Sequence, residues 1–313
     1  MDFQDKIYIA GHKGLVGSAL LRKLESEGYR NLLTRTHGEL DLARQAAVED
    51  FFVRERPAYV FLAAARVGGI HANNTQGGMF IYENLMVQSN VIHASYRHGV
   101  KKLLFLGSSC IYPKLAPQPL KEEYLLSGLL EPTNEPYAVA KIAGIKMCEA
   151  YNRQYGTCFM SVMPTNLYGP NDNYDLQASH VLPALIRKIH EAKVQGRSEV
   201  VLWGTGKARR EFLYVEDLAD ACVFLMRKYD AATLGGIVNI GCGKDLTIAE
   251  LAQTIAKVVG YAGKFVYDTT KPDGTPQKLL DVTRMTRLGW TSGTSLADGL
   301  GKAYASYRAS IQS

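Results

Sequence analysis

Lys6-Ile7-Tyr8-Ile9-Ala10-Gly11-His12-Lys13-Gly14-Leu15-Val16-Gly17 is the stretch whose reading decides the fold. A strand-like run from Lys6 to Ala10 ends in a turn with glycines at every third position. Beyond it Leu15, Ala19, Leu20 and Leu24 recur at helical spacing. Strand, glycine turn and helix in that order open a dinucleotide-binding βαβ unit. The glycines let the backbone approach a pyrophosphate, and the helix N-terminus offers it free N–H groups. A plain tight turn is the competing reading, and three glycines this early favour the phosphate.

Further along, strands are expected at Tyr59–Ala63, Lys102–Leu106 and Phe159–Met163, with helices around Phe80–His98 and Tyr137–Gln154. That alternation predicts an α/β fold, a doubly wound parallel sheet with helices on both faces. Asn134 and Pro136 mark a helix start. After Pro164 the rhythm breaks into a loop-rich segment, Asn166–Ser179, and a helix at Val181–Ala192 follows. A strand at Gly236–Ile240 is expected to return to the first sheet. The reading is therefore a cofactor-binding domain of residues 1–165 plus about 211–243, and a discontinuous substrate lobe of about 166–210 plus 244–313.

The nature of the dinucleotide is also open to argument. An NAD site places an acid about twenty residues on, at the ribose 2′-hydroxyl. Here the second strand-like run, Asn31–Thr34, ends in Arg35 with no acid at its tip, and Lys13 adds a cation in the turn. Two cations suit a 2′-phosphate, so NADP(H) is expected.

Composition narrows the class. A net charge of +6 without basic blocks suits small anionic ligands rather than nucleic acid. The longest apolar runs, such as Tyr59–Ala65, are too short to span a bilayer. The N-terminus enters its first strand directly, which predicts no secretory signal and a cytoplasmic protein. Five cysteines without a C-x-x-C pair read as reduced thiols, and none of the seven histidines shows metal spacing. No metal is expected.

Chemistry is carried by Tyr137-Ala138-Val139-Ala140-Lys141, with Ser108 upstream at the end of an apolar run. A phenol is a poor acid near neutrality, with a reference pKa of about 10. A lysine one turn on shares its helix face and can favour the phenolate. A serine from a neighbouring strand end can hold a carbonyl oxygen beside that phenol. The set suits reversible carbonyl reduction. The spacing alone is weak, since helices hold tyrosine and lysine so by chance, and its weight comes from the glycine turn and Ser108.

These motifs resemble the extended short-chain dehydrogenases/reductases that act on nucleotide sugars. Within them, Ala64–Ile70, Gly107–Pro113, Asn134–Tyr137, Pro164–Pro170 and Lys271–Pro276 resemble the GDP-L-fucose synthases over nearly the whole chain. The resemblance implies conversion of GDP-4-keto-6-deoxy-D-mannose by epimerisation at C3 and C5, then NADPH-dependent reduction of the C4 ketone. It implies Cys110 as base and His180 as acid, beside Ser108, Tyr137 and Lys141. It places the cofactor on Gly11, His12, Lys13, Gly14, Leu15, Val16, Gly17, Arg35, His37, Leu106, Gly107, Ser108, Ser109, Lys141, Pro164, Thr165, Asn166, Leu167 and His180. It gives the GDP-sugar to Lys188, Trp203, Arg210, Asp273 and Lys278. A homodimer through Tyr82–His98 and Tyr137–Tyr155 is implied as well. The chain departs from the pattern where Lys13, His37 and Lys188 replace common arginines, and lysine lacks arginine's bidentate fork.

The chemistry agrees with the residues. A C4 ketone acidifies the hydrogens on both flanking carbons, and epimerisation needs a base on one face and an acid on the other. Two further readings stay open: a 4-epimerase or 4,6-dehydratase that retains NAD, and a non-catalytic NADPH sensor. Dehydratases of the group place an acidic pair beside the catalytic serine or threonine, where this chain has Ser109-Cys110. A sensor has no need of an intact Ser108, Tyr137 and Lys141.

Overall fold

A computed structural model describes residues 1–176, 178–271 and 273–312 of the chain. Gln177 of the expected 166–179 loop and Pro272 of the 271–276 stretch lie outside the described residues. The first half alternates: β1 (Ile7–Ala10), α1 (Leu15–Ser26), β2 (Leu32–Leu33), α2 (Gln45–Glu55) and β3 (Tyr59–Leu62). Next come α3 (Ile70–Thr75), α4 (Gly77–Arg97), β4 (Lys102–Leu106), α5 (Glu135–Tyr155) and β5 (Phe159–Pro164). The second half runs β6 (Asn166–Tyr168), α6 (Val181–Val194), β7 (Glu199–Trp203), β8 (Arg209–Tyr214), α7 (Val215–Lys228) and α8 (Ala231–Leu234). It closes with β9 (Val238–Ile240), β10 (Asp245–Thr247), α9 (Ile248–Val259), β11 (Lys264–Asp268), β12 (Gln277–Lys278), α10 (Thr283–Arg287) and α11 (Leu296–Ser310).

Six strands form one parallel sheet in the order β2-β1-β3-β4-β5-β9. Every residue of β1 and β3 is buried, as expected of strands covered by helices on both faces. Leu20 and Leu24 of α1 meet Leu218 and Val223 of α7 on one face, while Phe51, Val91 and Ile145 from α2, α4 and α5 fill the other. Burying each such side chain contributes about 1.5–3 kcal/mol. Strand order reverses between β1 and β3, so a crevice opens at their carboxyl ends, where such sheets hold ligands.

The remaining strands pair outside that sheet, and α6, α9 and α11 pack into a separate core that makes a second lobe, while Met285 and Trp290 join the first core. β8 pairs with β10, β12 and β6, and β7 pairs with β11. Leu185, Ile186 and Ile189 of α6 pack there with Leu251 and Ile255 of α9 and Leu300 of α11. The segment after Pro164 is not all loop, because β6 takes its form from pairing with β8. A three-residue strand carries no period to read. β2 likewise shrinks to Leu32–Leu33. Among the described residues no helix is long and apolar enough to cross a membrane.

Candidate active site

The three glycines of the opening turn do three different things. Gly11 has φ +88°, and a Cβ there would lie 2.8 Å from the Ala64 backbone. A Cβ on Gly17 would collide with the Gly11 carbonyl oxygen. These two let strand, turn and helix close up. Gly14, the N-cap of α1, carries no side-chain cap, and a Cβ there would meet nothing nearer than 3.5 Å. Its N-terminal N–H groups therefore face an open cradle, the shape and polarity a pyrophosphate needs. His12 Nδ1 is buried without a partner at the same turn. The residues fit a dinucleotide.

Near the adenosine end, Lys13 is exposed. Arg35 donates to Glu55 Oε1 at 2.7 Å and to its neighbour's carbonyl, Thr34 O, at 2.7 Å, and lies over the Phe51 ring. His37 is exposed beside Asp41. No acid stands at the end of β2 itself, but a carboxylate comes near these cations from the following turn. Glu39 folds back to accept from Thr36 N at 2.7 Å and Thr36 Oγ1 at 2.8 Å, within the fields of Arg35 and Lys13. Its place four residues beyond Arg35, across a turn, hid it from a search of the strand end.

The structure brings Ser108, Tyr137 and Lys141 together, with only the serine bonded to the phenol. Ser108 lies directly beyond β4 and Tyr137 in the first turn of α5, and their side chains are hydrogen-bonded. Burial pushes the Tyr137 phenol above its ordinary range, the Cys110 sulfur pushes the same way, and the Ser108 contact opposes them. Lys141 is 3% exposed, and burial pulls its ammonium down to about 7. Its Nζ donates to Leu106 O at 2.8 Å and stands 5.9 Å from the Tyr137 ring centroid. The contact lowering the phenol in this structure is thus Ser108, and Lys141 is itself a half-discharged cation at neutrality. Gly107 packs against Met163, and Ser109 is buried. At the end of β5, Thr165 Oγ1 and Asn166 Nδ2 both donate to Glu211 O, which fixes the Pro164–Leu167 wall of the crevice.

Cys110 meets this relay from the other side. Its sulfur accepts from Asn134 Nδ2 at 3.3 Å and from Lys278 Nζ at 3.5 Å. His180 is the N-cap residue of α6 and does not cap it. The residue is exposed, yet desolvation and then the Lys278 ammonium push its pKa down. A proton placed on this imidazole is readily given up. Lys278, expected to hold nucleotide, therefore lies close to both Cys110 and His180. Sequence spacing could not show this, because β12 reaches the cleft only by pairing Lys278 with Arg210 of β8.

In the second lobe, Trp203 is 59% exposed, which excludes a core role. Lys188 and Lys271 lie 5.0 and 5.7 Å from its ring centroid. Burial pushes Arg210 down, and Asp273 opposes that. Asp273 accepts from Thr205 N at 2.7 Å and Thr205 Oγ1 at 2.8 Å. An exposed indole flanked by cations suits a purine base with a diphosphate. Sequence reasoning missed Asn134 as a neighbour of the sulfur, although it had marked the residue as a helix start. It also missed Glu211, whose fully buried carboxylate takes Gly243 N and Leu280 N. Among the described residues no cluster of metal-ligating side chains forms.

Known proteins agree with this geometry. Residues 7–241 match the NAD dependent epimerase/dehydratase family. GDP-L-fucose synthase 1 of Arabidopsis thaliana is 61% identical over 98% of this chain and 94% of its own. A GDP-6-OMe-4-keto-L-xylo-heptose reductase from Campylobacter jejuni superposes with TM-score 0.94 at 42% identity, covering 99% of each chain. A GDP-L-fucose synthetase from Naegleria fowleri, solved with NADP bound, superposes with TM-score 0.91 at 28% identity over 100% of this chain and 97% of its own. The chain belongs to the NAD dependent epimerase/dehydratase family, in its GDP-L-fucose synthase branch.

Proposed function

We propose that the protein converts GDP-4-keto-6-deoxy-D-mannose to GDP-L-fucose, with NADP(H) as cofactor. The observation that carries this is the Cys110 sulfur, held by Lys278 and Asn134 beside the Ser108–Tyr137 pair. A base for the α-carbons and a proton donor for the ketone share one cleft.

The steps follow from the residues. Cys110 takes the hydrogen from C3 as a proton. The electron pair of the broken C–H bond forms the C3–C4 double bond, and the carbonyl pair moves to O4, where the hydroxyls of Tyr137 and Ser108 meet it. His180 returns a proton to the opposite face, and the same exchange occurs at C5. The cofactor, when bound, supplies a hydride to C4. Tyr137 gives its proton to O4 in that step, and Lys141 and Ser108 orient and recharge the phenol. The Gly11–Gly17 turn would hold the pyrophosphate, Lys13 and Arg35 the 2′-phosphate, and Lys141 the nicotinamide ribose. Trp203, Arg210, Lys188 and Asp273 would hold the GDP moiety.

The test is to incubate the protein with GDP-4-keto-6-deoxy-D-mannose and NADPH and identify the sugar. GDP-L-fucose is expected, and a product reduced at C4 without inversion at C3 and C5 would overturn the reading. That outcome would favour a plain reductase, the activity for which the Campylobacter jejuni protein is named.

The enzyme works in the cytoplasm as a homodimer on this reading. α4 and α5 pack along each other, and Tyr82 of α4 and Val139 of α5 are apolar groups left exposed for a second copy to cover. Size exclusion with light scattering should give a dimer at micromolar concentration, and a monomer would remove that part.

A further inference from the structure

Asn134 stands at the N-cap position of α5 and also ends the 3-10 turn Pro132–Asn134, with φ −130° and ψ 15°. Its side chain does not cap. It turns away from the helix, gives Nδ2 to the Cys110 sulfur at 3.3 Å and leaves Oδ1 buried with no partner. A buried acceptor without a donor is costly, and this one sits on an amide beside the thiol and within three residues of Tyr137. A ligand hydroxyl between the sulfur and Tyr137 would satisfy it.

We propose that Asn134 is a positioning and specificity residue for epimerisation, on the proposed-function reading of the site. Its amide N–H fixes the direction of the Cys110 sulfur toward the sugar ring, together with Lys278 from the opposite lobe. Its Oδ1 accepts a hydrogen bond from a ring hydroxyl of the bound 4-keto sugar, so the sulfur and the α-carbons are registered by one side chain. As the C–H pair passes into the enolate and the proton passes to sulfur, the Asn134 contacts are kept. Misplacing a reacting group by about 1 Å can cost about 10²-fold, so the sulfur's direction governs proton removal strongly. Hydride transfer to C4 relies on Ser108, Tyr137 and Lys141 and feels it less.

Helix capping makes the opposite prediction, and the two are separable. As a cap, Asn134→Asp and Asn134→Ser should equal or better the parent, since both residues cap well and a carboxylate favours a helix N-terminus. As a positioning residue, Asn134→Ser loses the sulfur contact, and Asn134→Asp sets a negative charge against it. The experiment follows wash-in of solvent deuterium at C3 and C5 of GDP-4-keto-6-deoxy-D-mannose with NADP+, alongside C4 reduction with NADPH. Exchange should fall about tenfold or more beyond any fall in reduction, in the order parent, Ser, Asp. Substrate KM should rise several-fold, and product should shift toward the un-epimerised 6-deoxy sugar. Equal losses of exchange and reduction with an unchanged KM, or full exchange in Asn134→Asp, would overturn the proposal. Failure of the functional reading shows itself separately, as absence of C3 and C5 exchange in the unmutated protein.

Discussion

Ser108, Tyr137 and Lys141 reach the cleft from the end of β4 and the first turns of α5, whereas Cys110 meets Lys278 across 168 residues of sequence and His180 comes from the start of α6. The reductive side stands on the parallel sheet, whose β1, β3 and β5 are wholly buried. The epimerising side is completed by β12, a two-residue strand held against β8, and by the buried Glu211 carboxylate that takes Leu280 N at 3.0 Å. On the proposed mechanism, reduction rests on this local unit and epimerisation on residues that strand pairing brings in from afar. Changes in the second lobe should uncouple them.

The largest expected effect strikes the reductive side. Tyr137→Phe keeps the ring's edge-on packing with Phe80 and removes the proton donor. C4 reduction should fall about 10²–10⁴-fold while NADPH still binds, read by single-turnover kinetics and a fluorescence titration. Near-normal turnover would sink the assignment of the relay.

Cys110→Ser strikes the other side. A hydroxyl hardly ionises at neutral pH, so deuterium wash-in at C3 and C5 should drop by about 10²-fold or more. Slow reduction to a 6-deoxy sugar other than fucose should survive. His180→Ala should impair wash-in too, because no group then returns the proton. Full exchange in Cys110→Ser would make the thiol a packing residue and erase the contrast between the two sides.

The same contrast explains what was legible in the sequence. Gly11, Gly14 and Gly17, the apolar runs of β1, β3 and β4, and Tyr137 with Lys141 act through near neighbours, so spacing exposed them. Lys278 and Glu211 act through strand pairing that no local period records. Glu39 comes near Arg35 and Lys13 from a turn, which a search for an acid at the strand end passes over. Asn134 was visible as a helix start, but its side chain does the opposite of what that position favours.

Lys141 gives a stability test of how dry the reductive side is. Burial lowers its folded pKa from 10.5 to about 7. Between those values the unfolded chain binds the proton and the folded chain does not, so this group's contribution to stability rises with pH. Below about 7 both states are charged and the cost of burying the ammonium is fully present. Lys141→Met should therefore be more stable than the parent at pH 6, by on the order of a few kcal/mol. The difference should shrink steadily toward pH 10. Urea unfolding of both proteins across that range measures it, and taking the difference removes the cysteines and tyrosines that titrate in both. A flat difference would mean that Lys141 is solvated or paired.

The smallest effect tests the cofactor end of the reductive side. Arg35 is not a free cation, since Glu55 takes part of its fork and Phe51 lies under it, and Glu39 places a negative charge nearby. Lys13 stands exposed at the same end. If these two cations meet a 2′-phosphate, the parent should use NADPH with higher kcat/KM than NADH. Arg35→Ala should then erode that preference by about 1–3 kcal/mol, roughly five- to 150-fold, as expected for charged hydrogen bonds. Glu55→Gln is the control that separates charge from scaffolding. It releases the guanidinium from its ion pair while keeping a side chain of the same shape, so the preference should hold or grow. If the preference in Glu55→Gln fell as far as in Arg35→Ala, the pair would serve only to fix the loop. Equal efficiency with both cofactors in the parent would remove the 2′-phosphate assignment altogether.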